Sequence, residues 1–127
     1  DKMKFELYRQ LSICEQIEDV EKVKNNIIDR FGIMNQEANN LILNTKIQIL
    51  SSNININLIN KNKNNLTIRF NNQIGSAKNI LLKSFNDATI TRSNEIKIKL
   101  VDNNEWPDEI INIMNKIEEI QNMHITI

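Results

Sequence analysis

The spacing of apolar residues changes near residue 53, and this change restricts the fold more than any other feature. Before that point, apolar side chains recur every three to four residues, which is the period of an α-helix. After it, isoleucine and leucine alternate with polar residues over residues 54–58 and 66–70, which is typical of strands with one buried face. The pattern predicts an α+β fold, with three N-terminal helices followed by a small, mainly antiparallel sheet and two further helices.

Three helices are predicted before the change of period, over residues 3–14, 17–31 and 35–50. In the first helix the apolar residues at helical spacing are Phe5, Leu7, Tyr8, Leu11 and Cys14. Asn35 is suited to be the N-cap of the third helix. That helix is expected to end at Ser51 and Ser52, with Asn53 in the left-handed conformation that often follows a helix.

The second helix has the clearest amphipathic pattern. One side carries an apolar stripe with a lysine at its edge, formed by Ile17, Val20, Val23, Lys24, Ile27, Ile28 and Phe31. Gly32 follows as the expected C-cap, and Ile27, Ile28 and Phe31 are expected to anchor the helix in the core. The opposite side is polar and presents Glu18, Lys22, Asn25, Asn26 and Asp29 outward. Without further evidence, such a face is most simply a solvated surface.

The second half of the chain is predicted to contain a hairpin, further strands and two helices. The hairpin has its apolar face on Ile54, Ile56, Leu58, Leu66, Ile68 and Phe70, with a turn or loop over residues 60–65. Residues 77–85 predict a short helix and residues 95–101 a third strand, with a short additional strand near residues 88–91. Pro107 suits the first position of the last helix, which carries an isoleucine-rich stripe.

The composition excludes several classes of protein. The length of 127 residues suggests one domain over residues 1–127, and 16 basic and 16 acidic residues leave a formal net charge of zero. Proteins that bind nucleic acid usually have a basic excess or a basic stripe, and neither is obvious here. The single cysteine fits a reducing compartment, and no apolar run is long enough to span a membrane, so we expect a cytoplasmic protein. Because the chain begins at Asp1, we expect it to be one domain of a longer protein.

The residue types that catalysis and metal binding require are scarce. Gly32 and Gly75 are the two glycines, which is too few for a glycine-rich phosphate loop. One histidine and one cysteine, far apart in sequence, make a metal site improbable on composition. Cys14 and His124 are formally a nucleophile and a base, but Cys14 is expected on an apolar helix face, where free cysteines are usually inert. The sequence therefore predicts no catalytic residue, no metal and no cofactor in this chain.

Three stretches of the first fifty residues form a pattern when they are taken together: "FELYRQLS", then "IIDRFG", then "EANNLILNTKIQIL". In this pattern the chain resembles the C-terminal domain of the bacterial transcription-repair coupling factor family. The matching residues are Leu7, Tyr8, Arg9, Ile28, Asp29, Arg30, Phe31, Gly32 and Leu41. The resemblance continues more loosely, element by element, to about residue 121.

The resemblance implies a non-catalytic regulatory domain at the end of a DNA translocase. The motor of such a parent uses ATP, and the parent binds RNA polymerase, DNA and the excision-repair recruitment subunit. The domain would fold back on the parent's N-terminal module, which is similar to the excision nuclease's damage-binding subunit, and mask its recruitment surface.

The same resemblance implies which residues make the contact. Asp29 would face arginines of the N-terminal module, on an interaction face formed by Glu18, Lys22, Asn26 and Asp29. Asn26 stands where the family usually has a glutamate, so one potential ion pair is lost, and the contact would be either weaker or compensated at Glu18 or Lys22.

Two other functions stay open from the sequence. An accessory nucleic-acid-binding module would use the hairpin and Arg69, which is expected outside the core and without a charged neighbour. An enzyme would need at least two titratable groups that converge in a cleft, and the sequence shows no candidate set.

Overall fold

The computed structural model describes residues 2–101 and 106–123. Within them the chain forms five α-helices and a four-stranded antiparallel sheet, which confirms the predicted α+β class and the order of its elements. The chain divides into two compact units, Asp1–Ile49 and Leu50–Ile127, with the boundary inside the third helix. That residues 1–127 act as a single domain stays a prediction.

The first unit contains helix α1 (Lys2–Leu11), helix α2 (Ile17–Phe31) and the larger part of helix α3 (Gln36–Asn53). Helix α1 ends three residues before the predicted position 14. At that end the Ser12 hydroxyl donates a hydrogen bond to the Arg9 carbonyl at 2.7 Å, so the side chain satisfies a carbonyl of the last turn. The prediction that Cys14 lies on a helix face is therefore wrong, because Cys14 lies in the loop between α1 and α2.

Helix α2 has the predicted bounds. At its start the Asp19 carboxylate accepts a hydrogen bond from the Gln16 backbone N–H at 3.1 Å, within a reciprocal capping box. At its end the Gly32 N–H donates to the Ile28 carbonyl at 2.8 Å. Gly32 has a φ of 85°, which glycine adopts without the strain that a side chain would bring. The predicted stop at this glycine is confirmed.

Helix α3 begins as predicted and ends later than predicted. The Asn35 Oδ1 atom accepts a hydrogen bond from the Ala38 N–H at 2.8 Å, which confirms the N-cap. The helix then continues through Ser51 and Ser52, since serine lowers helix stability by less than about 0.7 kcal/mol. The left-handed residue predicted at Asn53 is instead Asn55, with a φ of 57°.

The core of the first unit is a narrow apolar cluster along its three helices. Its buried members are Leu7, Leu11, Val20, Ile27, Met34, Ala38, Ile42 and Ile49. Ile28 is 38% exposed, so the prediction that it anchors α2 in the core is wrong. It lies about 100° around the helix from Ile27, which places it outside the stripe that packs against the other helices.

A carboxylate on α1 connects this helix to α2. Glu6 accepts hydrogen bonds from Arg9 and Gln10 of its own helix and from Arg30 of α2, whose Nη1 lies 3.3 Å from Glu6 Oε1. These donors, above all Arg9, lower the pKa of Glu6 from 4.5 to about 2. The ionised Glu6 side chain therefore holds the exposed edge of α1 against the end of α2.

The second unit contains the sheet. Its strands are β1 (Ile56–Asn62), β2 (Asn65–Phe70), β3 (Thr89–Arg92) and β4 (Glu95–Lys99), in the spatial order β1-β2-β4-β3. The loop predicted over residues 60–65 is wrong, because both hairpin strands continue into it and leave a turn of two residues, Lys63 and Asn64. Lys63 takes the positive φ of 56° that this turn needs.

A β-bulge in the hairpin changes which residues of β1 face the core. Ile56 is paired with Phe70, but Leu58 is paired with Arg69, so one extra residue is inserted between Ile56 and Leu58. Because strand side chains alternate, this insertion exchanges the two faces beyond it. Leu58 therefore lies on the face opposite to Ile56, and the predicted alternation of Ile54, Ile56 and Leu58 on one buried face is wrong.

Two helices complete the second unit, α4 (Lys78–Ser84), which follows a 3-10 turn at Gly75–Ala77, and α5 (Trp106–Asn122). The buried stripe of α5 consists of Pro107, Ile110, Ile113, Met114, Ile117 and Ile120. Lys61 of β1 lies over the Trp106 ring, with its Nζ 5.2 Å from the ring centroid. The Lys61–Trp106 contact requires Lys61 to lie on the face of β1 opposite to Leu58, and this is the face on which the bulge places it.

Replacing Leu7 by alanine tests the narrow core. Leu7 is fully buried, so Leu7→Ala should lower the free energy of unfolding by about 2–5 kcal/mol. The matched control is Phe5→Ala on the same helix, which should change it by less than about 0.5 kcal/mol because Phe5 is 71% exposed. Urea unfolding followed by circular dichroism gives both values. Equal losses in the two variants would contradict this description of α1.

The Glu6 connection predicts a specific dependence of stability on pH. Because the pKa of Glu6 is about 2 in the folded state and 4.5 ordinarily, its contribution is complete above about pH 4.5 and is lost as the pH falls towards 2. Glu6→Gln should therefore be less stable than the wild type at pH 7, and the difference should shrink through this window. Urea unfolding of both proteins at pH 7, 4 and 3 measures it. A difference that does not change with pH would show that the Glu6 charge does not stabilise the fold.

Candidate interaction site on the second helix

The four residues predicted to form an interaction face all lie exposed on α2. Glu18, Lys22, Asn26 and Asp29 have the spacing of one helix face, and together they extend over about 16 Å of the helix. The structure therefore places these side chains on one solvent-facing strip of the first unit. We call this strip the α2 polar face.

Among the described residues, three of the four side chains on the α2 polar face form no hydrogen bond or ion pair, whereas two nearby charged side chains of α2 do. Glu21 forms an ion pair with Lys46, and Arg30 forms one with Glu6. Among the described residues, no hydrogen bond or ion pair is made by the side chains of Glu18, Lys22 and Asp29. On α2, Glu21 and Arg30 thus support the fold, whereas Glu18, Lys22 and Asp29 are available to a partner.

Asp29 occupies a position that disfavours a negative charge. It lies in the last turn of α2, where the helix dipole presents its negative end. The residues one turn before it are the uncharged Asn25 and Asn26, and the adjacent Arg30 is paired with Glu6. Helix stability therefore gives no reason for an acid at this position.

Asn26 makes a contact within the first unit. Its Nδ2 donates a hydrogen bond to Gln10 Oε1 of α1 at 3.1 Å. Asn26 is thus partly engaged by α1 while it remains exposed, in the middle of the α2 polar face. The bond also supports the seating of α2 on α1 next to the Glu6 connection.

Exposed apolar side chains surround the end of α2. Ile33, just after Gly32, is 96% exposed, and Ile28 is 38% exposed. Phe5 and Phe31 line a shallow depression together with Arg30, whose guanidinium carbon lies 5.1 Å from the centre of the Phe31 ring. Asp29 therefore lies at a helix end that also presents Phe31, Arg30 and exposed apolar side chains, and aromatic residues and arginine are enriched in protein interfaces.

The sequence interpretation missed the outward aromatic residues of α1. Phe5 is 71% and Tyr8 is 54% exposed, although both were placed with Leu7 and Leu11 in one helical pattern. At about 100° per residue, Phe5 lies roughly 140° and Tyr8 roughly 80° around α1 from the middle of the Leu7–Leu11 line, so a helical wheel separates Phe5 from this line and places Tyr8 at its edge. Tyr8 also lines a hollow of about 230 Å³ with Met3, Lys4, Glu37, Ala38 and Leu41.

The candidate catalytic and metal groups do not come together in the described residues. Cys14 Sγ lies 3.5 Å from the Gln10 carbonyl, and burial raises the pKa of its thiol, which disfavours the reactive thiolate. His124 lies outside the described residues. In the described part of the chain, no three His, Cys, Asp or Glu side chains are grouped as a metal would require, and no helix has the length and apolarity to cross a membrane.

Arg69, the candidate for nucleic-acid binding, has a charged partner. Its guanidinium lies 3.1 Å from the Glu95 carboxylate across the β2–β4 pair, and Arg92 lies 3.5 Å from the same carboxylate. The prediction that Arg69 has no charged neighbour is therefore wrong. The sequence did not indicate this pair because Glu95 is 26 residues away and reaches Arg69 only through strand register.

Comparison with known proteins shows which family this chain is similar to. A family model described as the TRCF domain matches residues 1–80. The transcription-repair-coupling factors of Rickettsia typhi and Rickettsia prowazekii are each 33% identical to this chain over 107 residues, or 80% of it. The chain spans about a tenth of the length of these relatives.

A solved structure has the same fold. It is described as the crystal structure of the C-terminal domain of transcription-repair coupling factor, and it matches 97% of this chain and 83% of its own with a TM-score of 0.78. At 17% identity the likeness concerns the fold alone. The family model and the relatives decide the family, and this chain belongs to the transcription-repair-coupling factor family, with the fold of a C-terminal domain from it.

Proposed function

We propose that this chain is a non-catalytic regulatory domain that binds the N-terminal module of its own parent protein. The parent would be an ATP-dependent DNA translocase that binds RNA polymerase and DNA, and the module would be the part similar to the damage-binding subunit of the excision nuclease. While bound, the domain would mask the surface that recruits the excision-repair machinery. The contact would be made by Glu18, Lys22, Asn26 and Asp29.

The observation that carries this proposal is the unpaired Asp29 carboxylate at the end of α2. It is exposed, it forms no ion pair with a described residue, and it stands where the helix dipole opposes it. A residue that costs stability and serves no internal contact is best explained by a contact outside the domain. An arginine of the N-terminal module would supply the missing charge.

The surroundings of Asp29 bear on how strong this contact would be. An ion pair that remains exposed contributes about 0–1 kcal/mol, whereas pairs that are desolvated in an interface can contribute more. Ile28 and Ile33 offer apolar surface that would exclude water around the Asp29 carboxylate. We therefore expect Ile28 and Ile33 to contribute most of the affinity and Asp29 to determine the choice of partner.

A weak contact is sufficient for this function. Two modules in one chain meet at an effective concentration of about millimolar when the linker permits it. A dissociation constant of about 0.1 mM would then keep the domain closed for most of the time and still allow a competing partner to open it. Asn26 in place of a glutamate fits a contact in this weak range.

The runner-up function, nucleic-acid binding through the hairpin and Arg69, has less support at that residue. The Arg69 guanidinium shares the Glu95 carboxylate with Arg92, and Arg69 is half-buried. The charge of Arg69 is thus partly neutralised by Glu95 within the sheet.

Reversing the charge of Asp29 tests the proposed contact. In a titration of the separately produced N-terminal module, near-millimolar wild-type chain should bind, and Asp29→Arg should weaken binding at least about tenfold. Glu119→Arg on α5 is the matched control and should bind like the wild type, because Glu119 is 71% exposed outside the α2 polar face. Isothermal titration calorimetry gives the constants. No binding by the wild type, or equal weakening in both variants, would contradict the proposal.

Neutralising Asp29 tests the claim that this residue opposes stability. Asp29→Asn should raise the free energy of unfolding by about 0.3–1 kcal/mol at low ionic strength, because it removes a negative charge from the negative end of the helix dipole. Asp19→Asn, the same change at the other end of α2, should lower it, since Asp19 caps that end. Thermal unfolding of both variants measures the two signs. If Asp29→Asn is destabilising, Asp29 has a structural role and the argument from its unfavourable position is lost.

A further inference from the structure

The sheet has a solvent-facing side whose composition differs from the rest of the chain. Strand register places three cross-strand rows on this side, and the central one contains Asn60, Thr67, Lys97 and Thr89. The row at the start of β2 and the end of β4 contains Asn62, Asn65 and Lys99. The third row contains Leu58, Arg69, Glu95 and Arg92. We call this side the outer sheet face. The side chains on the other side of the central strands β2 and β4 are buried and apolar.

The outer sheet face is basic although the whole chain is neutral. Along the four strands it carries four cations, Lys97, Lys99, Arg69 and Arg92, and one carboxylate, Glu95, which leaves three net positive charges. Glu95 is only 8% exposed and already lies between the two arginines. Glu95 is therefore paired with the arginines and forms no ion pair with the lysines.

The two lysines are exposed and available. Lys97 and Lys99 have no ion-pair partner among residues 2–101 and 106–123. They are two positions apart on β4, so their backbone positions are separated by about 6.8 Å along the strand and both side chains leave the same face. This spacing allows each ammonium group to contact a different phosphate of one nucleic-acid strand.

The neutral residues of the outer sheet face indicate the kind of partner. They are amides and hydroxyls, at Asn60, Asn62, Asn65, Thr67 and Thr89, which are donors used in contacts to phosphate oxygens. Leu58 is the one apolar residue in the paired rows and is half-buried, so the face lacks the apolar centre of a stable protein interface. It also carries no aromatic ring on which unpaired bases would stack.

We propose that the outer sheet face binds the phosphate backbone of double-stranded DNA, without sequence preference, through Lys97 and Lys99 with Arg92 at the edge. Four strands at about 4.8 Å spacing give a surface about 14 Å wide, which suits the outside of a duplex better than a single-strand groove. The contacts are electrostatic and therefore weak at physiological salt. This site lies on the second unit and does not depend on the proposed function of the α2 polar face.

The test compares two pairs of lysines of the same unit on labelled duplex DNA. At about 50 mM salt, Lys97→Gln/Lys99→Gln should weaken binding at least about tenfold, measured by fluorescence anisotropy with a 20-base-pair duplex. Lys78→Gln/Lys83→Gln removes the same charge from exposed positions on α4 and should bind like the wild type. Because all four lysines are exposed, circular dichroism should show every variant folded.

The salt dependence and two competitors decide between the possible partners. Loss of two phosphate contacts should reduce the slope of log K against log salt by about 1.8, and the control pair should leave the slope unchanged. No duplex binding by the wild type at 50 mM salt, or equal weakening by the two double variants, would overturn the proposal. Tighter binding of single-stranded DNA, or equally effective competition by poly-glutamate, would overturn the assignment to duplex DNA in favour of those partners.

Discussion

The packing of α2 through a narrow apolar stripe is the constraint on which the first unit depends. Val20 and Ile27 are the buried residues of this helix, and both are fully buried in the cluster that includes Leu7 and Leu11 of α1. Ile17, Val23 and Phe31 are partly buried and pack against the same cluster. Seven of the fifteen residues of α2 are exposed, and they include Ile28 and the α2 polar face.

At the end of α2, one of two adjacent charged side chains stabilises the first unit, and the other is available to a partner. Arg30 is drawn into the first unit by Glu6, whose pKa of about 2 reflects how strongly its donors favour the ionised form. Asp29, the preceding residue, has no such partner among the described residues. Because Arg30 fastens α1 to α2 while the adjacent Asp29 faces outward, a partner could engage Asp29 without breaking the internal connection.

The sequence was sufficient where a strong period or a specific cap acts locally. The bounds of α2, the Asn35 cap and the Gly32 stop could all be predicted, because each depends on residues within one or two helical turns. The face carrying Asp29 could be predicted for the same reason. Its partner could not, since nothing in the helix pattern describes the surface that it meets.

Within the sheet, the predictions failed where pairing between residues distant in sequence decides the structure. The bulge between Ile56 and Leu58 becomes visible only from the register against β2, and the Arg69–Glu95 pair depends on the register between β2 and β4. Register also assembles the outer sheet face, because Lys97 and Lys99 look like ordinary alternating lysines until the neighbouring rows are known to add cations and donors. A neutral net charge therefore did not exclude a basic surface, since it averages over faces that the fold separates. Arg69 of β2 lies on the same face, but its charge is shared with Glu95, while Lys97 and Lys99 of β4 form no ion pair with a described residue.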